Sequence, residues 1–197
     1  PDQEFCTPNT STVLAGNAPT PPGSGVWSIA QGDAQFDDVS SPLSAVSGLP
    51  VGENILVWTL EQGVCGISHD SVSIFIFDAE APGADAGPDM EQCMPMDTTF
   101  LAGNTPVVPA QGTWTVIAGS GAVVNVNDPT SLVTGLSIGN NTFVWTVDNG
   151  PCPNGLTADT VTVVLFSDST AAPDAGPDLE TCLPLTFAQL EGEAPTP

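Results

Sequence analysis

The sequence predicts an all-β protein made of tandem sandwich domains, and three observations carry that expectation. Apolar and polar residues alternate with period two, and no segment sustains the 3.6-residue period of an amphipathic helix. Gly and Pro, 20 of each, punctuate the chain every eight to twelve residues or so, which is the rhythm of short strands and turns. The third observation is an internal copy. Cys6 and Cys65 stand 59 residues apart, as do Cys93 and Cys152, and the second pair follows the first by 87. Trp27 and Trp114, Gly16 and Gly103, Leu49 and Leu136, Asn54 and Asn141, and Trp58 and Trp145 keep the same offset, so a whole structural unit is duplicated.

In repeat 1 the pattern predicts a short initial segment around Glu4 to Thr7, then strands at Thr12 to Gly16, Gly25 to Ala30, Leu43 to Ser47, Asn54 to Glu61 and Asp70 to Asp78. Repeat 2 mirrors them at Thr99 to Gly103, Gly112 to Ala118, Leu132 to Thr134, Asn141 to Asp148 and Asp159 to Phe166. Comparison of the copies picks out the buried face. Leu56, Trp58 and Leu60 become Phe143, Trp145 and Val147, whereas the intervening Ile55, Val57 and Thr59 become Thr142, Val144 and Thr146, so the Trp face is the core. In the last strand Val72, Ile74 and Ile76 match Val161, Val163 and Leu165 facing inward. The outward Phe75, Phe77, Val164 and Phe166 are unusually apolar, which predicts either cover by a loop or neighbouring domain or a lateral packing surface between fibres.

These repeats divide the chain into residues 1–84, 85–173 and 174–197, the last being a linker and the first strands of a third copy that reaches Cys182. The expectation is a window from a longer array. Units of this size can each bury a modest core, and each would add about 40 Å of length if its strands run along the array.

The 197 residues contain no Lys and no Arg against 23 acidic residues, for a formal charge of -23. Nothing is available to neutralise phosphates, which excludes nucleic acid as a partner, and the same field repels anionic lipid. No apolar run approaches the length of a membrane span, so direct insertion is not expected. The five cysteines hold repeat-locked positions without a CxxC or a nearby His pair, and read as a disulfide framework rather than a zinc site. The expected pairs are Cys6 with Cys65 and Cys93 with Cys152, one per repeat, pinning the first strand to the turn before the last. Cys182 would find its mate beyond Pro197. Such bonds imply an oxidising compartment.

Two short patterns place the topology. Leu49-Pro-Val-Gly52-Glu-Asn54 and Leu136-Ser-Ile-Gly139-Asn-Asn141 match the L-x-x-G-x-Y corner of immunoglobulin-like sandwiches with Asn in place of Tyr, and Trp27 and Trp114 then take the cross-sandwich position of the third strand. Together with Asp85-Ala-Gly-Pro-Asp89 and Cys93, Leu101-Ala-Gly103-Asn, Gly112-Thr-Trp114 and Phe143-Val-Trp145, the chain resembles the immunoglobulin-like or PKD-like repeats of giant Bacteroidetes cell-surface proteins. The W-x-F-G-D-G stretch of PKD domains is absent, which favours the immunoglobulin-like label. The resemblance implies export by type IX secretion, and adhesion or gliding motility as the setting. It also directs attention to Asp-Ser/Thr patterns as O-glycosylation candidates, namely Ser71, Thr98, Thr160 and Ser169.

The best candidate for a ligand site is the junction Asp85-Ala-Gly-Pro-Asp89-Met-Glu91, repeated as Asp174-Ala-Gly-Pro-Asp178-Leu-Glu180. Three carboxylates bent by Gly-Pro could supply oxygen ligands to Ca²⁺ and stiffen the joint, or they could be solvated turn residues that cap backbone amides. No cofactor is required by anything in the sequence, with Ca²⁺ the one candidate. His69 is the sole histidine and has no counterpart in repeat 2, and the chain lacks the Lys, Arg and Tyr that serve as oxyanion clamps and general acids. Catalytic residues are expected to be none. The reading that follows is a structural and adhesive segment of a large extracellular bacterial surface protein, a rigid stalk or fibre whose partners are neighbouring repeats and other copies. The alternative is a self-assembling filament or surface-layer subunit with strand exchange between chains.

Overall fold

A computed structural model describes residues 1–168, 174–180, 182 and 187–192. It contains two immunoglobulin-like β-sandwiches in series. In domain 1 the strands are β1 (Gln3–Cys6), β2 (Thr12–Val13), β3 (Ser24–Gln31), β4 (Gln35–Phe36), β5 (Ala45–Ser47), β6 (Gly52–Glu61) and β7 (Ile67–Phe77). In domain 2 they are β8 (Met90–Cys93), β9 (Thr99–Phe100), β10 (Gln111–Ala118), β11 (Ala122–Val123), β12 (Leu132–Thr134), β13 (Gly139–Asp148) and β14 (Leu156–Phe166). Each domain packs a four-stranded sheet, ordered β1-β7-β6-β3 or β8-β14-β13-β10, on a three-stranded sheet, ordered β2-β5-β4 or β9-β12-β11.

The expected face is the buried one. Leu56, Trp58, Ile74 and Ile76 form the core of domain 1 with Leu14, Trp27, Val46 and Leu49. Their counterparts Phe143, Trp145, Val163 and Leu165 do so in domain 2, joined by the linker residue Ala86. The two Trp rings of each domain pack at centroid distances of 5.0 and 4.9 Å, tilted by 39° and 38°. Their indole N–H groups donate to backbone carbonyls, Trp27 to Ser41 and Trp58 to Asn17, so burial leaves no donor stranded. This packing explains the Gly-x-Trp signature, because a β-carbon at Gly25 or Gly112 would fall inside the ring of Trp58 or Trp145.

The Asn corner also forms. Asn141 Nδ2 donates to the carbonyls of Ser137, Gly139 and Val163, and its Oδ1 accepts from the amide and hydroxyl of Ser137. Asn54 makes the matching donations to Pro50, Gly52 and Ile74. Pro50 has no N–H, however, and among the described residues no group donates to Asn54 Oδ1.

Candidate functional site: the joint between the domains

The direction of the first strand decides where the sulfurs can go. β1 runs parallel to β7 with Cys6 opposite Phe77, the last residue of β7, while Cys65 sits in a 3-10 turn just before β7 begins. The ten-residue rise from Ile67 to Phe77 is about 33 Å, far beyond the ~7 Å that a disulfide can bridge between α-carbons. Cys93 opposite Phe166 and Cys152 before β14 are separated in the same way. The expected bonds Cys6 to Cys65 and Cys93 to Cys152 therefore do not form. The bond observed is Cys6 to Cys152, with α-carbons 5.0 Å apart, and it ties the far end of domain 1 to the turn before the last strand of domain 2. Cys65, Cys93 and Cys182 are exposed free thiols.

Around this bond the two domains interlock. Phe77, one of the outward aromatics, is buried because its ring lies against Gly150, where a β-carbon would come within 2.6 to 2.8 Å of ring carbons. Gly150 has φ of +55°, so both its backbone conformation and the ring above it call for glycine. Of the two readings of the outward aromatics, cover by a neighbouring domain accounts for Phe77. Asn149 Nδ2 donates to the carbonyl of Asp78 at 2.8 Å. Beside the joint runs a groove of about 400 Å³ that includes Glu4, Phe77, Gln111, Asp148 and Gly150 in its wall.

The linker is held along its length to domain 2. Ala84 N donates to Thr157 Oγ1 at 2.8 Å and Ala86 N to Asp159 Oδ2 at 2.8 Å. Asn104 clamps the same stretch from the other side, with Oδ1 accepting from Asp85 N, Nδ2 donating to the Gly83 carbonyl, and its own amide donating to the Asp85 carbonyl. The Asp159 carboxyl lies below its ordinary pKa because the Ala86 amide, and then the Thr160 amide, donate to its charged form, against a smaller desolvation effect. Asn104 closes the Leu101-Ala-Gly103-Asn pattern and Asp159 is the Asp of the Asp-Thr160 pattern, but neither motif pointed to a hold on the linker. Asn104 follows the repeated Leu-Ala-Gly, and Asp159 opens the predicted last strand.

The junction carboxylates are occupied with backbone amides. Asp85 Oδ1 accepts from Gly87 N, Asp89 Oδ1 from Thr162 N, and Asp174 Oδ1 from Gly176 N. Asp2 Oδ1 repeats the Asp89 contact on Ser73 N. Glu91, Asp178 and Glu180 are exposed. Among the described residues no group of three His, Cys, Asp or Glu side chains converges on a point where a metal ion could sit. The capping role that competes with calcium is thus visible at Asp85, Asp89 and Asp174. Ser71, Thr98 and Thr160 are exposed, and Ser169 lies outside the described residues. No described helix is long and apolar enough to cross a membrane.

No protein-family model matches the chain. Over 208 aligned residues it is 26% identical to dyslexia-associated protein KIAA0319-like protein of Mus musculus, a match spanning 98% of this chain and 20% of that protein. The chain thus corresponds to about a fifth of the length of that relative. Among solved structures, the PKD domain of the KIAA 1837 protein aligns at 28% identity and TM-score 0.38, covering 50% of this chain and 93% of that one. The PKD domain of human KIAA0319 aligns at 20% identity and TM-score 0.37, covering 49% and 87%. The four N-terminal Ig domains of Dscam1 isoform 1.9 align at 10% identity and TM-score 0.46, covering 84% and 44%.

Proposed function

We propose that this chain is a load-bearing segment of an extracellular adhesive array, in which sandwich domains in series hold a fixed spacing. The observation that carries the reading is the joint. A covalent bond, a buried aromatic and a linker hydrogen-bonded at Gly83, Ala84, Asp85 and Ala86 leave little freedom between the domains. Linkers without such contacts behave as hinges. Asp2, Asp85, Asp89, Asp159 and Asp174 spend their carboxylates on backbone amides of turns, strands and linker, which is a structural use of these groups. The resemblance to Bacteroidetes surface repeats extends the reading to a bacterial cell-surface stalk exported by type IX secretion and serving adhesion or gliding.

Small-angle scattering of the purified chain tests the mechanical part. A rigid pair gives a maximum dimension of about 80 Å for the two domains, set by strands of roughly 3.3 Å per residue. That dimension should grow in equal steps as repeats are added. A broad ensemble of interdomain angles under oxidising conditions would refute the stalk.

A further inference from the structure

The turn that closes the joint reads Asp148-Asn149-Gly150, and its contacts fix the last two residues. Asn149 reaches from domain 2 to domain 1, where Nδ2 donates to the Asp78 carbonyl at 2.8 Å. Gly150 combines φ of +55° with the Phe77 ring in the place of a β-carbon. The joint therefore has Asn-Gly at its centre. In that pair the glycine nitrogen can attack the preceding carboxamide with no β-carbon in the way, which makes Asn-Gly the dipeptide quickest to lose ammonia. Domain 1 has Gln62-Gly63 at the matching turn, with φ of +58° at the glycine, and a glutamine must close a six-membered ring, which is far slower.

While the joint is closed, both reacting groups are engaged elsewhere. The Gly150 N–H donates to Asp148 Oδ1 at 2.9 Å, the Asn149 carboxamide is held toward Asp78, and the Phe77 ring covers the glycine. Local opening releases all three together, and the Cys6–Cys152 bond beside the turn keeps the opened faces near each other. The closed joint also has no place for the product. Among the described residues no group donates to the buried Asn149 Oδ1, and the partner of Nδ2 is a carbonyl. A carboxylate at this position would face that carbonyl with no donor, and the chain has no Lys or Arg to pair with it.

We propose that Asn149 is a modification site that acts as a one-way latch: it is protected while Phe77 sits on Gly150, deamidates when the joint opens, and does not reseat afterwards. The Gly150 nitrogen gives up its proton and bonds to Cγ of Asn149, the Cγ–Nδ2 bond breaks, and ammonia leaves. Water then opens the resulting succinimide. Attack at Cγ leaves aspartate, and attack at the main-chain carbonyl leaves isoaspartate, so the sum is carboxamide plus water to carboxylate plus ammonium. Isoaspartate adds a carbon to the backbone ahead of Gly150 and carries the glycine out from under the ring. The inference rests on the closed joint of the rod reading. A wild-type chain that already sampled broad interdomain angles would defeat that reading, whereas a rigid wild type with ungated conversion would defeat the latch alone.

The test incubates the full chain in mildly alkaline, oxidising buffer and follows conversion at Asn149 by mass spectrometry of digests cut at acidic residues. Asn154, exposed and also followed by glycine, is the reference within the same loop, and the chain unfolded in urea gives the unprotected rate. Native Asn149 is expected to convert more slowly than in urea. Phe77→Ala removes the ring that covers the turn, and Phe77 lies outside the core cluster of domain 1, so the domain should keep its fold. That variant should raise the ratio of conversion at Asn149 to conversion at Asn154 about tenfold, as expected for loss of a buried aromatic anchor. Asn149→Asp places the product in the chain from the start, and should broaden the distribution of interdomain angles in scattering with the Cys6–Cys152 bond intact. Native conversion as fast as in urea, an unchanged ratio in Phe77→Ala, or a wild-type angle distribution in Asn149→Asp would overturn the proposal.

Discussion

Replacing the two corner asparagines should weaken the domains unequally. In domain 2, Asn141→Ala removes three donations to buried or half-buried carbonyls and two acceptances from Ser137. At about 1 kcal/mol net for each well-formed bond, and with buried carbonyls left unpaired, the loss should be about 3 to 5 kcal/mol. In domain 1, Asn54→Ala removes the three donations but also a buried oxygen that has no partner among the described residues, so the loss should be about 1 to 2 kcal/mol smaller. Domain-resolved hydrogen exchange reads both, from the slowest amides of β6 and β7 for domain 1 and of β13 and β14 for domain 2. Pro50→Ser should restore an N–H opposite Asn54 Oδ1 and raise the cost of Asn54→Ala toward that of Asn141→Ala, a coupling of about 1 kcal/mol in a double-mutant cycle. Equal losses for the two asparagines, or no coupling between positions 50 and 54, would refute the claim that a proline starves this corner.

Three other outcomes follow from the same geometry. Gly112→Ala should destabilise domain 2 by about 2 to 3 kcal/mol and change the near-ultraviolet Trp signal, because the new methyl group displaces Trp145. Asp159→Asn should weaken the hold on the linker in a pH-dependent way. The folded pKa is depressed, so the stabilisation is present above the unfolded value near 3.9 and vanishes as pH falls through the folded pKa. Urea melts of wild type and variant should therefore differ at pH 7 and converge in acid. Gly150→Val should force Phe77 out of its seat and broaden the distribution of interdomain angles in scattering, while leaving the melting of domain 1 nearly unchanged.

Strands long enough to alternate were legible because burial on one face writes period two into the residues. The two copies sharpened this, since Ile55 changes to Thr142 while Trp58 stays Trp145. The two-residue strands β4 and β11 carry no such pattern and escaped notice, as did β8, whose four residues Met90–Cys93 pair with β14 at the edge of the sheet. The cysteine pairing was illegible for a different reason. In a periodic array the bonds Cys6 to Cys65 and Cys6 to Cys152 satisfy the repeat equally well, and only the parallel run of β1 beside β7 separates them. Nor did spacing distinguish metal ligands from caps in Asp85-Ala-Gly-Pro-Asp89. Their role depends on which amides point at them, and that is a property of the folded turn.

Mass mapping of the oxidised chain after cleavage at acidic residues tests the central claim most directly, since the absence of Lys and Arg leaves trypsin no site. The interlocked joint predicts a cross-linked pair containing Cys6 and Cys152, with Cys65 and Cys93 open to alkylation in the monomer. Recovery of Cys6 joined to Cys65, or of Cys93 joined to Cys152, would contradict it.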